Sequence, residues 1–128
     1  ISGSYMVGAG AGSACSTWPL CRGELFPSGT AYAIHMGHRY LAGLILIAAG
    51  YIGLSFIKED GNIPGVKQAS MILVHSILLQ IVIGAILVWI GFDPILKTIH
   101  LALATIIWMA VIYMVACILE NHSRYSKG

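Results

Sequence analysis

The chain has 128 residues, 58% of them hydrophobic and only 9% charged, with a formal net charge of +2 and a mean hydropathy of +0.85. A soluble domain carries about a quarter of its residues as charges, so a water-facing globule is excluded, and nothing points to nucleic acid as a partner. Asp, Glu, Lys and Arg are absent from 40–57, 68–92 and 98–119, and each run is near the length a helix needs to cross a ~30 Å hydrocarbon core.

In chain order, residues 1–32 come first as a loop domain. The opening "ISGSYMVGAG" starts on Ile1 and has no basic stretch ahead of it, so no signal peptide is visible. It reads as the tail of a longer apolar segment, and a further helix is expected before residue 1. "GAGAGS" at 8–13 lacks the glycine spacing and the preceding strand of a dinucleotide-binding turn. Cys15 and Cys21 then bracket a Trp-Pro-Leu turn. Their spacing allows a disulfide. A zinc site with His35 and His38 is the rival reading, against which the wide cysteine spacing speaks.

The rest divides into a span over 33–57, the turn "KEDGNIPGVK", a span over 68–91, the turn "GFDP", a span over 95–119 and a tail over 120–128. The predicted fold is therefore all-α: an integral membrane helical bundle at 33–119 with three visible transmembrane helices and a fourth before residue 1. Lys58, Lys67, Arg124 and Lys127 fall on one side, Arg22, Arg39 and Lys97 on the other. That bias makes the tail cytoplasmic and the cysteine loop extracytoplasmic, where disulfides persist. The sequon Asn121-His122-Ser123 would then go unused. Cys117, within the last span, is expected to pack as a small apolar residue. Gly43, Ala49, Gly50, Gly53, Gly84 and Ala85 are expected at close helix contacts.

Depth sorts the histidines. His38 opens the first span and His100 the third, both from the same side, and Ala42 and Ala104 follow them on the same helix faces. Two level imidazoles with space beneath them suit axial ligation of a flat macrocycle from opposite faces. The competing reading is a pair of hydrogen-bonding membrane histidines, which burial without a task makes costly. His75 lies ~20 Å away in depth at helical rise, so a packing hydrogen bond is expected of it. His35, one turn before His38, is placed at the interface, in solvent or in reach of a haem propionate. Arg39 is a candidate partner for a haem propionate. His122 belongs to the tail.

"GAGAGSACSTWPLCRG", "HMGHRYLAG", "LLQIVIGAILV" and "KTIHLALA" occur in this order across most of residues 3–105. Together they resemble the haem A synthase family, membrane enzymes that convert haem O to haem A for cytochrome oxidase. The resemblance implies eight spans in two four-helix halves, each with a histidine pair in its second and fourth helices. The three spans here match helices two to four of one half, and His38 and His100 match its pair, as ligands of haem b. It also implies that the Cys15–Cys21 loop lies over the haem site, held by a structural disulfide. The family's catalytic half carries a glutamate three residues before its His-Arg, and His35 stands at that place here. The chain is thus similar to the cofactor half, or to a half-length relative.

Two expectations follow from the resemblance. One is a haem-A-synthase-like protein in the cell membrane, oxidising the C8 methyl of haem O to a formyl group together with a second half, another helix or a second copy. The other is a non-catalytic b-haem electron-transfer subunit, or a structural subunit, of a respiratory membrane complex.

Overall fold

Four helices follow one another along the chain: α1 (Ser2–Gly8), α2 (Thr30–Glu59), α3 (Val66–Trp89) and α4 (Pro94–Tyr125). This computed structural model describes residues 1–59, 63 and 65–125. Lys127, the side chains of Lys58 and Arg124, residues 60–62 and 64 of the predicted turn and the end of the tail lie outside the described residues. Among the described residues there is no strand; Cys21 and Glu24 form one isolated antiparallel bridge.

The three long helices are each long and apolar enough to cross a membrane. α2 and α4 run past both predicted span edges, because backbone hydrogen bonding does not stop where the hydrocarbon does, whereas α3 starts two residues early and ends two residues short. Local chemistry sets their ends instead. Before α2, Gly29 adopts φ +111°, and its carbonyl accepts the Ala33 N–H at 3.0 Å. After α3, Gly91 stands at φ +83°, and the Phe92 N–H reaches back to the Leu87 carbonyl at 2.8 Å. That six-to-one bond is the mark of a Schellman ending, which glycine favours. Asp93 then caps α4, its Oδ1 accepting the N–H groups of Ile95 at 2.9 Å and Leu96 at 3.1 Å. Pro94 fits the first helical position because its missing N–H would have had no partner there.

Two compact units make up the chain: Ile1–Ile45 with Ile81–His100, and Leu46–Gln80 with Leu101–Gly128. In the second unit, Val66, Ala69, Leu73 and Ile77 recur on one buried face of α3. Ser70 is buried with them and donates its hydroxyl to Met114 Sδ at 3.6 Å. Gly53 lies against this contact: a Cβ there would stand 3.5 Å from Ser70 Cβ and 3.7 Å from Val74 Cγ2. His75 is exposed, and its Nδ1–H donates to the Met71 carbonyl at 2.7 Å, a hydrogen bond within its own helix rather than the packing bond expected. Cys117 is a free thiol, half-buried.

In the first unit the core sits under the 9–29 loop. Ala11, Cys15, Cys21, His35 and Met36 are its most buried side chains, with Tyr32 packed beside the cysteines. The two sulfurs are bonded at 2.14 Å, with the Cα atoms 5.0 Å apart. Bonded to each other, they are not free for zinc. Among the described residues, no group of three or more His, Cys, Asp or Glu side chains could hold a metal ion.

Candidate functional site

The first unit holds His35, His38, Arg39 and His100 together. Its entry is α1, which ends in a full Schellman motif. The Gly10 N–H bonds to the Val7 carbonyl at 3.0 Å, and the Ala11 N–H to the Met6 carbonyl at 2.9 Å, with Gly10 at φ +67°. This turn carries the chain off the helix and leaves the Ala11 carbonyl facing His35 Nδ1 at 3.1 Å.

His35 is only 3% exposed, so its ring is not solvated. Its chemistry follows from its neighbours. Arg39 Nη2 lies 3.2 Å from His35 Nε2, and a guanidinium can only donate. Nε2 is therefore the acceptor, and the ring's single proton sits on Nδ1, where it donates to the Ala11 carbonyl. The Cys15 N–H, at 3.4 Å from the same Nδ1, is left with a weak contact. Both ring nitrogens of His35 are thus occupied, which removes it as a metal ligand. Phe92 covers the ring edge-on, with centroids 6.2 Å apart.

Arg39 fastens the loop a second time. Its Nη1 donates to the carbonyls of Thr17 at 2.8 Å and Pro19 at 2.9 Å. Of five N–H donors, three are spent on the loop and His35, leaving Nε–H and one Nη2 hydrogen. The loop also holds itself: Thr17 Oγ1 donates to the Leu20 carbonyl at 2.6 Å and accepts the Arg22 N–H at 2.8 Å. Tyr40 donates its hydroxyl to the Leu25 carbonyl. Trp18 meets Trp89 edge-on at 6.0 Å.

His38 and His100 are different from His35. Ser2 Oγ lies 3.0 Å from His38 Nδ1, and the Cε1 edge of the ring rests on Gly3, 3.5 Å from where a Cβ would be. His100 Nδ1 is buried with no hydrogen-bond partner. Its ring lies against Gly84, where a Cβ would come within 3.3 Å of Cε1 and 3.9 Å of Nδ1. Neither histidine has a partner for Nε2 among the described residues. Chemically this is a pair of imidazoles with available lone pairs. A buried nitrogen without a bond is costly, which sets His100 apart from His35 and His38.

The glycines expected at helix contacts divide. Gly53 and Gly84 meet neighbours, whereas a Cβ at Gly43 or Gly50 would meet nothing within 4 Å among the described residues. Gly43→Ala should therefore raise the thermal unfolding midpoint, helix propensity favouring Ala by up to ~1 kcal/mol. Gly84→Leu should lower it by overpacking against His100, at a cost of about 1–3 kcal/mol. Equal midpoints for the two variants would contradict this packing. Sequence reasoning missed Ser2 altogether, since a lone serine carries no motif.

The fold and site define a class: a helical membrane protein with a paired-histidine site and a disulfide-closed loop. The chain belongs to the COX15-CtaA family of cytochrome oxidase assembly proteins, whose family model matches residues 1–112. It is similar to the heme A synthase of Staphylococcus aureus (strain bovine RF122), 30% identical over 134 aligned residues, covering 100% of this chain and 43% of that protein. The heme A synthases of Staphylococcus haemolyticus, 28% identical over 98% of this chain and 42% of the relative, and Bacillus licheniformis, 26% identical over 97% and 42%, are similar too. The chain spans about two fifths of the length of these relatives. No solved structure matches it. Three membrane-length helices and these relatives make it an integral membrane protein.

Proposed function

We propose that this chain is one haem-binding half of a haem-A-synthase-like membrane protein, with b-type haem held between His38 and His100. The observation that carries the reading is the state of the two imidazoles: each presents an Nε2 without a protein partner, and His100 adds a buried, unbonded Nδ1. Gly84 gives the His100 ring its space, and the two unspent N–H groups of Arg39 suit a haem propionate. Bound haem would supply one-electron redox chemistry; the protein's own part is to hold and orient it. The names of the relatives and of the family support a place in haem A biosynthesis for cytochrome oxidase, and the family resemblance adds haem O as substrate and haem A as product. A second half, a second copy or another helix would complete the protein.

A second reading has its own observation. In the catalytic half of the resembling family a glutamate precedes the His-Arg by three residues. Here His35 takes that place, and both its nitrogens are committed to Ala11 and Arg39. On this reading the chain is a non-catalytic b-haem module of a respiratory membrane complex. A reduced-minus-oxidised spectrum of the purified chain should show a low-spin b-type band; a chain that takes up no haem overturns both readings. Conversion of haem O by membranes carrying the protein separates them.

The disulfide loop is placed on the extracytoplasmic side by charge bias. After mild reduction of intact cells, a membrane-impermeant maleimide should label Cys15 and Cys21. Labelling only after lysis would reverse the topology.

A further inference from the structure

Three histidines in the first unit differ in what their Nδ1 atoms meet: a backbone carbonyl for His35, a serine hydroxyl for His38, nothing for His100. From this difference we infer that Ser2 is a positioning residue for His38, its hydroxyl accepting the Nδ1 proton so that Nε2 is presented to the iron. The inference rests on the haem reading above.

The geometry has two parts. Ser2 Oγ stands 3.0 Å from Nδ1, a normal hydrogen bond. Gly3, its neighbour, lets α1 lie against the ring at ordinary van der Waals distance. Hydrogen bond and glycine together fix both the rotation and the tilt of the imidazole from one short helix, 36 residues away in sequence. A serine hydroxyl could donate or accept. Ligation decides the direction: Nε2 can give its lone pair only when the ring proton is on Nδ1, and Ser2 must then accept it. Such an outer partner fixes the tautomer and raises ligand basicity. His100 Nδ1 has no such partner, so with haem bound His38 would be the more strongly donating of the two ligands. A stronger donor favours ferric over ferrous iron, so Ser2 holds the potential down.

The test is a pair of near-isosteric substitutions in the full chain, Ser2→Thr and Ser2→Val, titrated with haem and followed by the Soret band, the midpoint potential and the low-spin electron paramagnetic resonance signal. Thr keeps the hydroxyl, so its affinity, potential and signal should match those of the wild type. Val should bind haem on the order of tenfold more weakly, with a raised potential and a broadened low-spin signal. If Val matches the wild type, Ser2 does not position His38. If Thr and Val lose haem equally, the position matters for packing alone and the inference falls. If the wild-type chain itself binds no haem, the haem reading fails and takes this inference with it.

Discussion

Replacing His38 or His100 by alanine should abolish the low-spin b-type spectrum, and each substitution should do so alone. A low-spin iron here needs both axial nitrogens, and no other imidazole in the first unit can take over. His35 is the nearest in sequence, but its Nε2 accepts from Arg39 and its Nδ1–H is committed to Ala11. Since losing a mere outer-sphere partner of a ligand costs about 10–100-fold in affinity, losing the ligand itself should cost more. His35→Ala is the informative contrast: it leaves both proposed ligands in place, so the band should persist. Exogenous imidazole should restore part of the spectrum in His38→Ala and His100→Ala by filling the vacated volume. Spectra unchanged in both alanine variants would remove the proposed site.

Arg39→Ala should free the cysteine loop. The guanidinium holds the carbonyls of Thr17 and Pro19 and the Nε2 of His35, and all three bonds vanish at once. Hydrogen bonds to a charged group contribute about 1.5–3 kcal/mol each when well shielded. The carbonyl contacts are exposed, so a loss of about 2 kcal/mol is expected for the set, well below the sum. Local opening should become roughly 30-fold more frequent. Hydrogen exchange at the amides of Cys21, Arg22 and Glu24, which are bonded within the loop, reads this directly. Arg39→Lys should recover little, because an ammonium lacks the planar fork that spans two carbonyls and an imidazole. The disulfide remains intact throughout, so the faster exchange would report release of the loop from α2. Unchanged exchange in Arg39→Ala would mean that the disulfide and the Thr17 bonds hold the loop unaided.

The contrast between the histidines shows why one chain is legible in some places and not others. His38 and His100 stand out in the sequence because depth follows from counting residues along a charge-free run at a fixed helical rise. His35 lies three residues from His38, and counting makes it interfacial and open to solvent. In the structure it is buried, because the 9–29 loop folds back over it and Arg39 plugs its second nitrogen. No periodicity encodes that return of the loop, since it depends on the Gly10 turn and on carbonyls that every residue possesses. Gly43 and Gly84 make the same point. Both are glycines in apolar spans, yet a side chain at Gly84 would meet the ring of His100 and one at Gly43 would meet nothing.

By itself the sequence determined the solvent and the three membrane-length helices, and counting along them set two histidines at matching depth. Those are properties of composition and of local spacing, set by the cost of charge in hydrocarbon and by backbone rules within a few residues. Tertiary structure alone decided what each histidine nitrogen meets, that Arg39 spends two of its donors on the loop and one on His35, and that Ser2 and Gly3 come to rest on His38. These pairings join groups up to 36 residues apart in the chain. A hydrogen bond or a van der Waals contact is fixed by distances of a few ångströms in space, which no count along the chain supplies.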